Sequence, residues 1–345
     1  METWAWILFW LLLFLLFFLL LFVALARRGF PCLLCDLFGP HKPEFGSDRA
    51  PPKRGSIRVP SDVYKRPDPL IYSQQFLMSQ GLAVTWDNPD IWLETVNQDG
   101  DPSGVVVSSH ELTADTDYFI LARIWNGSVE APAIDLPVHF SYLSFGIGQG
   151  SQPIGTTQVD LPVKGAAGCP ARAAMKWRTP AAAGHYCLQV LLEWADDAEP
   201  SNNLGQENTD VKALNSPHAA FSFPVRNDSG MRRVLHLAAD FYRPGERPRC
   251  KPDQPRASQT RLSVEEIASR RRLALAEHGA ANFPLPAGWT VKLLPDEVIL
   301  GPGEQETVTV DVTAPDGFSG QQAINVNALA GNWLAGGVTL VVTGS

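Results

Sequence analysis

The chain is 345 residues long and carries 28 Lys and Arg against 36 Asp and Glu, a net charge of −8 at pH 7. That acidic balance favours solubility and argues against a general nucleic-acid binder. Five cysteines, an odd and sparse set, imply no disulfide framework, and 28 Gly with 28 Pro alongside many strand-forming residues predict a mainly β fold.

Trp4 to Ala26 is an unbroken run of 23 apolar residues. As a helix rising about 1.5 Å per residue it is about 34 Å long, enough to cross a hydrocarbon core about 30 Å thick. Residues 1–28 are therefore expected to be a single-pass transmembrane helix with a basic flank, and the lipid bilayer is its expected partner. Trp4, Trp6 and Trp10 crowd one end as interfacial anchors, and Arg27 and Arg28 close the other. The run is longer than a secretory signal, and the two arginines stand where a cleavage site would be. Seven Lys or Arg lie between Arg27 and Arg58, so the charge rule places the bulk of the chain on the cytoplasmic side of an inner membrane.

Residues 29–81 are expected to be a proline-rich spacer. Gly39 to Pro69 holds seven prolines among scattered charges, a composition that resists core formation and extends at about 3.1 Å per residue. Cys32 and Cys35 have metal or redox spacing with His41 nearby. Without a second such pair they read instead as an interfacial patch or acylation site.

Residues 82–213 predict a first sandwich. Tyr118 to Trp125, Val138 to Phe145, Ala171 to Arg178 and His185 to Trp194 read as strands. In the last, Tyr186, Leu188, Val190, Leu192 and Trp194 share one face at period two. Gly146 to Gly150 reads as a flexible loop, since no Lys-Ser/Thr follows to make it a phosphate cradle. Asp196, Asp197, Glu199, Asn202 and Asn203 gather oxygen ligands in one loop. They could hold Ca²⁺ or simply fix a tight turn. Asp87, Asp90, Asp99 and Asp101 invite the same two readings. Cys169 and Cys187 could pair, or stay reduced in a cytoplasmic setting.

Residues 214–345 predict a second sandwich with a helical insertion over 243–283. Phe221 to Arg226 and Arg233 to Ala239 flank Asn227 to Gly230, a hairpin signal. Further strands are expected at Trp289 to Leu294, Glu306 to Thr313 and Val338 to Thr343. In the insertion, Ser263 and Glu266 form a capping box, Leu262 can staple to Ile267, and Gly279 can end the helix. Arg270, Arg271 and Arg272 on that helix are the candidate partner-binding residues, for an acidic lipid or protein surface.

Asn88-Pro89-Asp90-Ile91-Trp92, Ala183-Gly184-His185-Tyr186-Cys187 and the acidic turn Asp196 to Asn203 make residues 86–203 resemble the bacterial cell-adhesion-related (CARDB-type) domain, an immunoglobulin-like module. Val298 to Glu304, the Val308-Thr309-Val310 strand and Ala314 to Gly317 resemble a second bacterial immunoglobulin-like module. The resemblance implies two tandem immunoglobulin-like sandwiches that bind or space, without catalytic residues or cofactor, on the extracytoplasmic side. The histidines are scattered, and no residue set supplies an acid, a base and an oxyanion site together. The expected function is a non-catalytic, membrane-anchored scaffold or accessory subunit that holds other subunits of a membrane complex, such as a respiratory or light-harvesting assembly. The alternative is a cell-surface adhesin that binds carbohydrate or another cell.

Overall fold

The computed structural model describes residues 66–109, 112–181, 185–213, 218–244 and 283–344. Trp4, Trp6, Trp10, Arg27, Arg28, Cys32, Cys35 and the segment expected to form the inserted helix, with Arg270, Arg271 and Arg272, lie outside the described residues. Among those described, no helix is long and apolar enough to cross a membrane.

The described chain is mainly β, with one α-helix, α1 (Gln74–Ser79), started by the Ser73 hydroxyl accepting the Phe76 N–H. In the first sandwich, β4 (Asp117–Asn126) pairs along its length with β7 (Ala171–Arg178). Its other side takes β2 (Ile91–Val96), which carries β3 (Pro102–Val107), and the short β1 (Pro69–Leu70). The facing sheet runs β6 (Ser151–Leu161), β5 (Ala133–Ser144), β8 (Tyr186–Leu192), β9 (Leu204–Glu207). Alternation along these strands turns Ile120, Ala122 and Ile124 toward Val138, Phe140, Leu188 and Val190 in one core.

The second sandwich packs a five-stranded sheet on a three-stranded one. The former runs β10 (Thr209–Ala213), β17 (Trp333–Gly344), β16 (Gly320–Ala330), β12 (Arg233–Asp240), β14 (Glu297–Leu300). The latter runs β11 (His218–Arg226), β15 (Gln305–Thr313), β13 (Thr290–Leu294). Phe221, Phe223, Val308, Val310, Ile324, Val326, Val338 and Leu340 fill the space between them.

Three sequence expectations need correction. Residues 66–81, expected to belong to the spacer, are instead built into the fold through β1 and α1, while residues 29–65 lie outside the described residues. The first sandwich was expected to extend to residue 213, but residues 209–213 form a strand that runs parallel to β17 in the second. The hairpin around Asn227 to Gly230 does not form, since β11 pairs with β15 while β12 pairs with β14 and β16. Asn227 instead carries the chain between the two layers, its Nδ2 donating to the carbonyls of Met231, Leu300 and Gly301.

Candidate functional site

Two of the three sequence motifs, Asn88 to Trp92 and Asp196 to Asn203, converge on the chain as it arrives at residues 66–74. Asp90, fully buried, accepts the Tyr72 N–H and the Trp125 indole N–H, both at 3.0 Å, with Arg123 at 3.8 Å. Asn88 donates to the carbonyls of Tyr72 and Gln206. From the other side, Arg66 donates to Asp196 Oδ1 at 2.8 Å and to the Asp197 carbonyl at 2.6 Å. Asn202 donates to Asp68, and Ala198 N–H to the Pro67 carbonyl. Gln74 covers the open edge of β9, donating to the Gln206 carbonyl and accepting its N–H. The entering strand is thus held at both flanks, on one side by the buried Asp90 and Asn88 and on the other by the more exposed Arg66 and Asp196 pair.

The acidic turn is largely satisfied from within. Asp197 accepts the Glu199 N–H at one oxygen and Asn203 Nδ2 at the other, and Glu199 accepts from Ser201. Among the described residues no group of three His, Cys, Asp or Glu side chains is placed to hold a metal. Burial, with the nearby Asp68 and Glu199 charges, pushes the Asp197 carboxyl up to about 6. The Asp99 and Asp101 N–H groups both donate to Asn97 Oδ1, a turn geometry. Cys169 and Cys187 are both free, buried thiols.

The second constellation is the joint between the sandwiches. The loop read as flexible is a plug. Ile147 is 1 % exposed and sits in the core of the second sandwich, its N–H donating to the Pro224 carbonyl and its carbonyl accepting the Arg226 N–H. Gly146 has φ +136°, and a Cβ there would stand 2.6 Å from the Pro224 oxygen, so only glycine lets the loop approach.

Asn208 ties three elements together. Its Nδ2 donates to the Gly146 carbonyl at 2.9 Å and the Gly337 carbonyl at 2.7 Å, while its Oδ1 accepts the Cys187 thiol. Its N–H donates to the Trp86 carbonyl, and its own carbonyl accepts the Thr339 N–H.

Trp86 closes a polar circuit on the outward face of β16 and β17. Its indole N–H donates to Asn327 Oδ1 at 3.0 Å, and Asn327 and Asn325 both donate to Asp240. Thr339 donates to Asn325 Oδ1, and its hydroxyl accepts the Trp86 backbone N–H at 2.7 Å. Val84, Trp86 and Leu334, with Leu77, Met78 and Leu329 beside them, cover the circuit with an apolar cap. Burial pushes the Asp240 carboxyl above the usual range against the donors that lower it. Sequence reasoning missed this joint because its partners lie far apart in the chain and each reads alone as a surface Asn or Thr.

No protein-family model matches the chain, and no curated protein matches it. Among solved structures, Escherichia coli alpha-2-macroglobulin activated by porcine elastase is 10% identical with a TM-score of 0.20, covering 74% of this chain and 22% of that one. Red sea bream transglutaminase is 8% identical with a TM-score of 0.18, covering 66% and 29%. Amycolatopsis orientalis exo-chitosanase is 12% identical with a TM-score of 0.18, covering 66% and 25%. The chain spans less than a third of each.

Proposed function

We propose that this chain is a non-catalytic scaffold or accessory subunit of a membrane assembly. Its apolar N-terminus would anchor it in the bilayer, and two immunoglobulin-like sandwiches would present binding surfaces. The observation that carries the reading is the joint: Ile147, Asn208 and Trp86 lock one sandwich to the other. A rigid pair presents surfaces at fixed spacing, which suits holding other subunits better than catalysis at a mobile cleft. The clamp at residues 66–74 supports the same role, since it fixes the start of the described chain to the first sandwich.

Gentle detergent extraction followed by native mass measurement tests this. Co-purifying subunits in fixed stoichiometry are the expected result; a lone monomer overturns it. Protease treatment of intact cells then separates an internal scaffold, which is protected, from a surface adhesin, which is digested.

A further inference from the structure

A groove of about 360 Å³ opens where β1, α1 and the end of β12 meet. Leu70, Phe76, Leu77 and Leu82 give it apolar walls, and Tyr242 and Pro244, just past β12, complete them. Asn202 also lines the groove. That side chain is 5 % exposed; its Nδ2 donates to Asp68, while its Oδ1 has no partner among the described residues. A buried acceptor of this kind calls for a donor. Around it gather the carboxylates of Asp68, Asp196, Asp197 and Glu199, with Arg66 on Asp196 and Lys164 acting on Asp68. The groove is thus apolar within and acidic beside Asn202.

Residues 245–282 lie outside the described residues, but the described chain fixes where they leave and return. They leave at Pro244, in the groove wall. They return at Phe283, whose ring meets Tyr242 at 4.9 Å and whose carbonyl accepts the Phe241 N–H at 3.2 Å. Gly279, where the sequence ends the expected helix, stands four residues before Phe283 and so within about 14 Å of it. Counting back along that helix at about 1.5 Å per residue keeps Leu275 within about 20 Å and Arg271 within about 26 Å. In the sequence, Val264, Ile267, Ala268, Ala274 and Leu275 recur at the spacing of one helix face, with Arg271 among them. A helix of this length is marginal alone and needs a surface to pack against.

We propose that residues 262–279 dock back on their own chain, their apolar face in this groove and Arg271 toward Asn202 and the acidic turn. Because the segment is tethered at both ends beside the groove, its effective concentration there is on the order of millimolar, so weak contacts suffice. The guanidinium supplies the donor that Asn202 Oδ1 lacks and a positive charge among the carboxylates. Arg271, a candidate partner-binding residue by sequence, then answers to this chain's own turn rather than to a lipid or another subunit.

Hydrogen–deuterium exchange on the full chain in detergent reads this out. Peptides spanning 262–279 are expected to exchange about tenfold more slowly than the same sequence as a free peptide. Leu82→Asp sets a charge in the groove, and Arg271→Glu reverses the charge at the turn. Each is expected to remove most of that protection while β4 and β15 keep theirs. Arg271→Glu lies outside both sandwiches, so it keeps the test decisive should Leu82→Asp fail to fold. The proposal is overturned if 262–279 exchanges like the free peptide, or if its protection survives both variants. Protection that arises only on adding vesicles of phosphatidylcholine and phosphatidylserine would assign the segment to a lipid surface and overturn it as well.

Discussion

Trp86 and Asn327, 241 positions apart, meet at 3.0 Å through an indole N–H and an amide oxygen, both buried. Removing the donor while keeping an aromatic ring isolates what that bond contributes. Trp86→Phe leaves Asn327 Oδ1 buried without its partner, at a cost of about 1–3 kcal/mol. Trp86→Ala also opens a cavity and costs roughly 3–5 kcal/mol. Urea unfolding followed by tryptophan fluorescence measures both. Because the residue touches both sandwiches, the whole transition is expected to move, with no second step separating from it.

Ile147→Ala tests the plug. The side chain belongs by sequence to the first sandwich and by packing to the core of the second. Its truncation is expected to cost about 2–4 kcal/mol, felt in the strands around Phe223 and Val225 rather than in β4 or β5. Site-resolved hydrogen exchange distinguishes this from the uniform loss that a first-sandwich core residue would produce.

The strands with the clearest period-two pattern were legible in the sequence. The four strands expected in the first sandwich and those at 233–239, 289–294 and 306–313 are found close to where the sequence pattern put them, because one buried face imposes that pattern. The joint was hidden for the opposite reason. The strand 320–330 was not read from the sequence, and Asn325 and Asn327 on its outward face are buried beneath Trp86 of the first sandwich. Ile147 is a lone apolar residue among glycines, a local pattern that fits a mobile loop equally well. The short β9 and β10 carry polar residues whose partners lie on other elements, so no periodicity marks them. The acidic turn was visible as a cluster, but its choice between ion and turn depends on donors from Arg66, Glu199 and Asn203.

The Asp90 clamp is expected to be costly to break. Asp90→Ala leaves the Tyr72 N–H and the Trp125 indole N–H without an acceptor in a buried site and frees Arg123 from its partner. A loss on the order of 3 kcal/mol is expected. The local signature is faster proteolysis near residues 66–74 at conditions where the second sandwich stays resistant. A variant that loses stability globally without that early cleavage would refute the clamp.

Calcium gives a sharp test of the acidic turn. Both oxygens of Asp197 already accept hydrogen bonds, and Arg66 supplies positive charge at Asp196. A ligand that binds the folded state raises its melting temperature by mass action. Millimolar Ca²⁺ is therefore expected to leave the melting temperature unchanged, and chelation likewise. A rise that Asp197→Ala abolishes would show that the turn opens to take the ion.

Stability should depend on pH with a definite sign. Burial raises Asp197 to about 6 and Glu207 to about 8, with Asp68, Asp87 and Asp240 shifted in the same direction. The folded chain therefore holds protons that the unfolded chain has already released. Their stabilising effect is complete below the ordinary carboxyl range and is lost as pH climbs through the raised values. The unfolding free energy is expected to fall by on the order of 3–5 kcal/mol between about pH 5 and about pH 9. Glu94, held down by the Trp92 indole and Gly104 N–H bonds and then by Arg172, and Asp115 and Asp117, held down by Arg178 and Lys176, work the other way, but only at more acidic pH. Urea titrations across that range measure the slope. Glu207→Gln should flatten its alkaline half and leave the segment near pH 6, set by Asp197, in place. A native chain whose stability climbs steadily toward pH 9 would mean that water reaches these buried carboxyls in the folded state.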